Sequence, residues 1–327
     1  MADTEMTDTG NGNISANGAD GRTRITVGPL LYYWPRRDVF EFYGRIADSA
    51  VDTITLGEVV CSRRHELKLD DWIGLARDLA ACGKEVVLAS MALLESEADL
   101  REMRTIGTQE DFLVEAGDSS ALRSLAGRRF VLGPHINVYS QPALEEYAAL
   151  GAVRWVAPVE LDLEAIRCID PPTQPVLGGP AGDTPIEPEV FAFGRLPLAF
   201  SARCFTARHY RLKKDECGFR CIEHPDGMTL ETGEGKPFLA LNGIQTQSAA
   251  LHCLITRREA VRAAGVRRIR LSPCAMHFDT VIGHFEAVYN QGADAQVALD
   301  SLRALPLPGQ LVDGFARHAP GLQEIEA

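Results

Sequence analysis

The chain has 327 residues, 46% of them hydrophobic and 24% charged, and a formal net charge of −12. That supplies a large core, while no apolar run approaches the ~20 residues of a membrane helix. The acidity disfavours a general grip on phosphate backbones, so neither a nucleic-acid partner nor a membrane span is expected. The first residues lack the basic and apolar regions of a secretory signal. The eight cysteines therefore read as reduced thiols of a cytoplasmic protein, not as a disulfide framework.

Residues 1–24, biased to Gly, Asn, Asp and Thr, read as a disordered tail, and residues 25–327 as a single barrel-like domain. From Arg24 onward, β-rich runs alternate with amphipathic helical stretches. RITVGPLLY precedes the helical RRDVFEFYGRIADSA. VDTITLGEVV precedes LDDWIGLARDLAACG, which closes on Gly83 as the residue past the helix end. KEVVLASMAL pairs with ESEADLREMRTIG, and DFLVEAGD with SSALRSLAG, where Ser119 or Ser120 would cap the helix. RRFVLGPHINVYS is followed by QPALEEYAALG, and AVRWVAPVEL by the short helix LEAIRCI. DPPTQPVLGGPAGDTPIEP is too rich in Pro and Gly for regular structure and reads as a loop insertion. EVFAFGRLPLAF is the seventh strand, SAALHCLITRREAVRAAG a helix, and VRRIRLSP a late strand. This alternation predicts an α/β fold, a (β/α)8 TIM-barrel-like domain irregular near its closure. A cysteine-bearing excursion over about 205–245 follows the seventh strand, and its run PFLALNG adds or closes a strand. No G-x-G-x-x-G follows the first strand, which weakens the competing doubly wound sheet.

The chemistry concentrates in SARCFTARHYRLKKDECGFRC. Cys204, Cys217 and Cys221 are spaced C-x12-C-x3-C in a polar, basic segment, whereas core cysteines arrive singly in apolar runs. Thiolates so placed can converge on a soft metal centre, zinc or iron–sulfur, and either wants a fourth ligand. In a parallel barrel, residues just after each strand gather at one rim. Cys61 follows the second strand and Cys204 the seventh, so Cys61, Cys204, Cys217 and Cys221 form a sensible four-thiolate set. Cys274, after the late strand, is the rival to Cys61. Cys82, at a helix end, and Cys168 and Cys253, in helical stretches, read as small buried hydrophobes. One C-x3-C pair with two isolated cysteines leans slightly toward a cluster set in a barrel mouth over a zinc ribbon.

Other polar residues fall at strand ends. Glu58 precedes Cys61 and could pair with a neighbouring arginine. His135 and Asn137 share a direction at period two, either as hydrogen-bonded rim residues or as contacts to a substrate. Arg203 and Arg208 belong to a basic run that reads as a solvated loop, or as cations that offset a thiolate centre or hold an anionic ligand.

Within this frame, EVFAFGRLPLAFSARCFTARHYRLKKDECGFRC resembles the signature region of the collagenase-like peptidase superfamily. GPLLYYWP, LGEVVCSRRHELKLDDW, LPLAFSARCFTAR, KDEC and LNGIQTQS resemble its branch that serves ubiquinone biosynthesis without oxygen. The resemblance runs from about Ile25 to about Pro273. It implies a [4Fe–4S] cluster on Cys61, Cys204, Cys217 and Cys221. It also implies ring hydroxylation of a quinone precursor together with a UbiU-like sister subunit in a heterodimer, and a UbiT-like lipid-binding accessory protein. Many relatives carry a His-Gly pair and a cysteine seven residues before the SARC cysteine; here Phe193, Gly194 and Pro197 stand at those positions, and proline cannot ligate. Other roles in the superfamily, a peptidase or an RNA-modifying hydroxylase, and a zinc-stabilised scaffold remain as alternatives. No G-x-S-x-G or H-E-x-x-H motif supports the peptidase.

Overall fold

The computed structural model describes residues 21–325; most of the expected tail, residues 1–20, lies outside them. Arg22 and Thr23 are already packed: Arg22 pairs with Asp52, and the Thr23 amide donates to Asn290 at 2.8 Å.

Strand and helix alternate as the apolar periodicity dictates. β1 (Arg24–Val27), β2 (Thr53–Leu56), β3 (Glu85–Ala89), β4 (Leu113–Ala116), β5 (Phe130–Leu132) and β6 (Ala152–Val156) run in order. Between them lie α1 (Arg36–Ala47), α2 (Leu69–Ala81), α3 (Glu97–Thr108), α4 (Ser119–Leu125) and α5 (Gln141–Ala149), with α6 (Leu163–Ile169) after β6. Gly83 takes φ 84° just past α2, as expected. The cap of α4 is Asp118, which accepts from the Ser120 amide at 2.8 Å, not Ser119 or Ser120. An ionised carboxylate at a helix N-terminus also meets the positive end of the helix dipole.

The Pro/Gly-rich insertion holds a two-strand hairpin, β7 (Leu177–Gly178) and β8 (Thr184–Pro185). It leads into β9 (Glu187–Phe200), which joins β6 on one side and β13 (Arg268–Leu271) on the other, while β13 pairs with β1. Every one of these pairings is parallel, so eight strands close into a TIM-barrel-like α/β fold.

The irregularity comes from the length of β9. Its C-terminal half leaves the barrel and pairs antiparallel with β12 (Gln245–Cys253). β11 (Pro237–Asn242) and β10 (Met228–Glu231) extend that annex, and β14 (Leu311–Val312) pairs with β12 on its far end. α7 (Phe205–His209) lies in the excursion; α8 (Arg258–Ala263), α9 (Phe278–Gln291) and α10 (Ala295–Arg303) complete the chain. The helix expected over SAALHCLITRREAVRAAG is a correction. Its first half is strand β12, because the protruding edge of β9 needs a hydrogen-bonding partner, and only Arg258–Ala263 is α-helical.

The inside of the barrel is ionic. Arg268, fully buried, lies 3.0 Å from Glu187, which also meets Arg154 at 3.1 Å, and Arg154 reaches Glu85 at 3.0 Å. One layer nearer the mouth, Arg270 donates to Glu189 at 2.7 Å and grips Glu115 with both terminal nitrogens, at 3.0 and 2.5 Å. Burial alone would raise the Glu85 carboxyl, but Arg154 and Arg268 outweigh it and hold it down to about 2. The apolar faces of strands and helices pack outside this column in one continuous core.

Candidate metal centre

The loop after β2 starts on Gly57, at φ 136°, where a Cβ would stand 2.7 Å from the Ala89 carbonyl oxygen; only glycine passes so close. Glu58 then accepts from the amides of Val60 at 2.9 Å and Cys61 at 3.1 Å, fixing the turn that carries the first cysteine. It lies 3.5 Å from Arg64. Arg64 is buried; it donates to the Leu31 carbonyl at 2.8 Å and to Asn242 Oδ1 at 2.6 Å, and its guanidinium lies over the Tyr33 ring at 5.5 Å. One arginine thus joins the loops after β1 and β2 to the end of β11. Burial pushes the Glu58 carboxyl above its ordinary value against the opposing pull of Arg64.

Cys204 opens α7, its Sγ accepting from the Ala207 amide at 3.4 Å. Cys61 and Cys204 pack on the same small apolar cluster of Leu31, Val59, Val60, Ala89 and Ile244. The rim therefore brings together two cysteines 143 residues apart in the chain (204 − 61). Cys221 is half-buried; burial raises its thiol, the facing Arg64 opposes that rise, and nearby Cys204 adds to it. The Cys61 thiol is pushed up to about 11 by burial, again opposed by Arg64.

Cys217 directly follows the tight turn Lys214–Glu216, and Cys221 lies within the next one, Arg220–Glu223. This segment is tied over the mouth by polar clasps. Arg63 pairs with Asp215 and donates to its carbonyl at 3.0 Å; Lys214 pairs with Glu95 and donates to the Ala202 carbonyl at 3.0 Å. Phe219, in the left-handed region at φ 52°, turns its ring against His65 (4.6 Å) and Tyr33 (5.9 Å).

Among the described residues, no three His, Cys, Asp or Glu side chains stand close enough together to hold a metal ion as they are. The donor chemistry nevertheless fits a soft, electron-rich centre: half-buried thiols over an apolar cluster, with a cationic hydrogen-bond donor facing Cys61 and Cys221. The segment carrying Cys217 and Cys221 is held in place by the exposed Arg63–Asp215 pair and the partly buried Lys214–Glu95 pair.

The other cysteines separate from this group. Cys274 is buried, its thiol donating to the Met276 carbonyl at 3.3 Å beside Asp226, and pushed up to about 12. Cys253 ends strand β12, not a helix, and is buried. Cys82 and Cys168 are exposed, which corrects their reading as buried hydrophobes; each lies at or near the end of a surface helix whose core face is filled by other residues, Trp72, Leu75, Ala76 and Leu79 in α2 and Leu163, Ile166 and Ile169 in α6.

The weaker candidates divide as well. Glu58 works within its own loop, as above. His135 lies half-buried at the mouth, edge-on to Phe200 at 4.7 Å. Asn137 does not accompany it: it is exposed in a turn beyond β5, where extended period-two geometry no longer applies. Arg203 and Arg208 are exposed, and neither forms an ion pair among the described residues.

A parallel eight-stranded barrel with cysteines drawn to its rim defines the class of this molecule. The model of Peptidase family U32 matches residues 45–271, and the chain belongs to that family. Among solved structures it is similar to phospho-2-dehydro-3-deoxyheptonate aldolase from Thermotoga maritima. The identity is 12%, covering 83% of this chain and 71% of that one, with a TM-score of 0.41. It is also similar to dihydropteroate synthase from Thermus thermophilus in complex with 4-aminobenzoate. There the identity is 13%, covering 82% and 95% of the two chains, with a TM-score of 0.36.

Sequence reasoning passed over Arg64, Glu115, Glu189 and Arg270. The signal existed for three of them: charged residues recurring within otherwise apolar strands, as in RIRL and EPEV, mark an ionic barrel interior. Arg64 carried none, since SRRHE reads as an exposed polar turn.

Proposed function

We propose that this chain is a UbiV-like, [4Fe–4S]-binding subunit of an oxygen-independent ring hydroxylase in ubiquinone biosynthesis. It would act with a UbiU-like sister subunit on the quinone precursor, with a UbiT-like lipid-binding accessory protein as a further partner. One observation supports this reading above others: the barrel rim holds Cys61 and Cys204 on a single apolar cluster, with Cys221 facing Arg64 beside them. The family match covers all four cysteines of the set. Cys61, Cys204, Cys217 and Cys221 would hold the cluster, which when bound supplies single-electron transfer. Glu58 would keep the Cys61 turn in place, Arg64 would face the sulfurs of Cys61 and Cys221, and the apolar cluster would exclude water from one side.

The test is anaerobic purification, alone and with the sister subunit, followed by iron, sulfide and zinc analysis. About four iron and four sulfide per chain are expected. Cys61→Ala and Cys204→Ala should each lose them, while Cys82→Ala keeps them. Stoichiometric zinc without sulfide would turn the reading to a stabilised scaffold. Iron-free protein from oxygen-protected cells, even with its partner present, would overturn the cluster altogether.

A further inference from the structure

From Val190 to Lys214 the chain holds no Asp or Glu, although acidic residues outnumber Lys and Arg 45 to 33 overall. Arg195, early in that stretch, is buried and donates to the Ser248 carbonyl at 3.0 Å. Arg203, Arg208, Arg211 and Lys213 are exposed, and none forms an ion pair among the described residues. Their neighbours do: Lys214 pairs with Glu95, Arg63 with Asp215 and Arg220 with Glu223. Those pairs occupy the carboxylates of the turns that follow, except exposed Glu216. The run therefore keeps a surplus of unpaired positive charge on an acidic molecule.

One of these cations stands where folding alone favours glycine. α7 ends in a Schellman turn, in which the Arg211 amide donates to the Arg208 carbonyl at 3.0 Å and the Leu212 amide to the Ala207 carbonyl at 2.8 Å. Arg211 takes the left-handed conformation at φ 58° that such a turn requires. Leu212, the residue such a turn often packs back on its helix, stays 39% exposed. A solvated loop needs neither feature. Arginines around an exposed apolar side chain match the composition of protein interfaces.

We propose that the run over residues 203–213 is the docking face for a small acidic one-electron carrier protein. Complementary charge steers and orients such a partner. The rest of the surface limits its size. An anionic membrane or a nucleic acid extends past the run and meets the remainder of a chain whose net charge is −12, whereas a compact carrier touches the run alone. Position supports the redox assignment. Cys61 and Cys204 rest on apolar core, while these cations lie on the solvent side of the segment that carries Cys204, Cys217 and Cys221. A carrier seated there would give up one electron to the centre on the four cysteines, with no bond formed or broken. The inference rests on the preceding section only for the destination of that electron; docking itself needs no metal.

The probe is a plant-type [2Fe–2S] ferredoxin, a small acidic one-electron carrier, titrated calorimetrically into the full metal-free chain. Saturable binding should weaken at least about tenfold between roughly 20 mM and roughly 200 mM salt. Arg208→Glu with Arg211→Glu should also weaken it at least about tenfold. Arg101→Glu with Arg104→Glu makes the same charge change on α3 and should leave affinity within about twofold of the parent. Arg211→Gly suits the turn and removes one cation, so it should weaken binding about threefold without loss of stability. On the loaded chain, reduction by ferredoxin kept reduced with NADPH and its reductase, followed by visible absorption, should slow at least about tenfold in the Arg208→Glu, Arg211→Glu variant. No saturable binding, an equal loss in the α3 control, or unchanged reduction in the Arg208→Glu, Arg211→Glu variant would each overturn the proposal. Tighter binding of heparin or of phosphatidylserine vesicles through the same arginines would overturn it in favour of an extended polyanion. Loss of ferredoxin binding once the sister subunit is bound would assign the face to that subunit instead. Docking is read without metal, so its failure is distinguishable from an iron-free result.

Discussion

Asp170 ends α6 with its carboxylate turned inward, accepting from the buried Val176 amide at 2.8 Å while only 3% of the residue is exposed. Burial raises this carboxyl from 3.8 to about 6, with the Val176 hydrogen bond pulling the other way. Between those values the folded chain keeps a proton that the unfolded chain has lost. Stability therefore falls as pH rises through that window and stays lower above it. Asp170→Asn keeps an acceptor for the amide and removes the charge. Its stability relative to the parent should improve by about 1–2 kcal/mol between pH 4 and pH 7.5, as read by urea denaturation. A difference that does not vary with pH would show that the carboxylate is not destabilised by burial. The same scale shows why some site residues were legible and others were not. Cys204, Cys217 and Cys221 announce themselves because three thiols in a polar segment have no packing explanation. Arg64 is hidden because its role depends on Leu31 and Asn242, which only folding brings beside it.

At the scale of elements, β13 shows how the barrel is filled. Its four residues alternate Arg268 and Arg270 inward with Ile269 and Leu271 outward, and all four are buried. Arg270 ties β13 to β4 through Glu115 and to β9 through Glu189, in a layer where each of the three side chains is at least 95% buried. Replacing a buried ionic group by an apolar one is tolerable only if its partners go too. Arg270→Met should cost about 3–5 kcal/mol, because two carboxylates then face each other without a cation. The triple variant Arg270→Met, Glu115→Gln, Glu189→Gln should recover more than half of that loss in chemical denaturation. A triple variant no more stable than the single one would show that the arginine contributes by packing and not by charge. Elements also mark where reading by period fails. The first six strands and their helices emerge correctly because each apolar pattern is local. SAALHCLIT is apolar on enough positions to suit either period, and the decision for strand comes from β9, whose extension beyond the barrel leaves a row of unpaired backbone groups.

The molecule as a whole combines a rigid support with a lightly held cover. The barrel is closed, its outer core continuous and its inner column cross-linked by ion pairs, whereas the segment from Cys204 to Asp226 crosses the mouth in short turns. One of its ties is of modest worth. The Arg63–Asp215 pair joins side chains 36% and 84% exposed, and exposed pairs contribute roughly 0–1 kcal/mol each. Arg211 and Phe219 occupy the left-handed region, which non-glycine residues hold at some cost. Local opening of such a segment needs far less free energy than unfolding the barrel beneath it. Trypsin at low ratio should therefore cut the metal-free chain first at Arg211, Lys213, Lys214 or Arg220, leaving the barrel fragments associated. If Cys204, Cys217 and Cys221 share a centre with Cys61, loading it cross-links the cover to the second strand's loop. Cleavage at those four sites should then slow at least about tenfold, since cleavage follows the population of the open form. Cys61→Ala, loaded under the same conditions, should lose that protection while remaining folded by circular dichroism. Equal cleavage of loaded and metal-free chains would mean that the cover is not fastened to the loop carrying Cys61. Protection that survives in Cys61→Ala would assign the fastening to another residue.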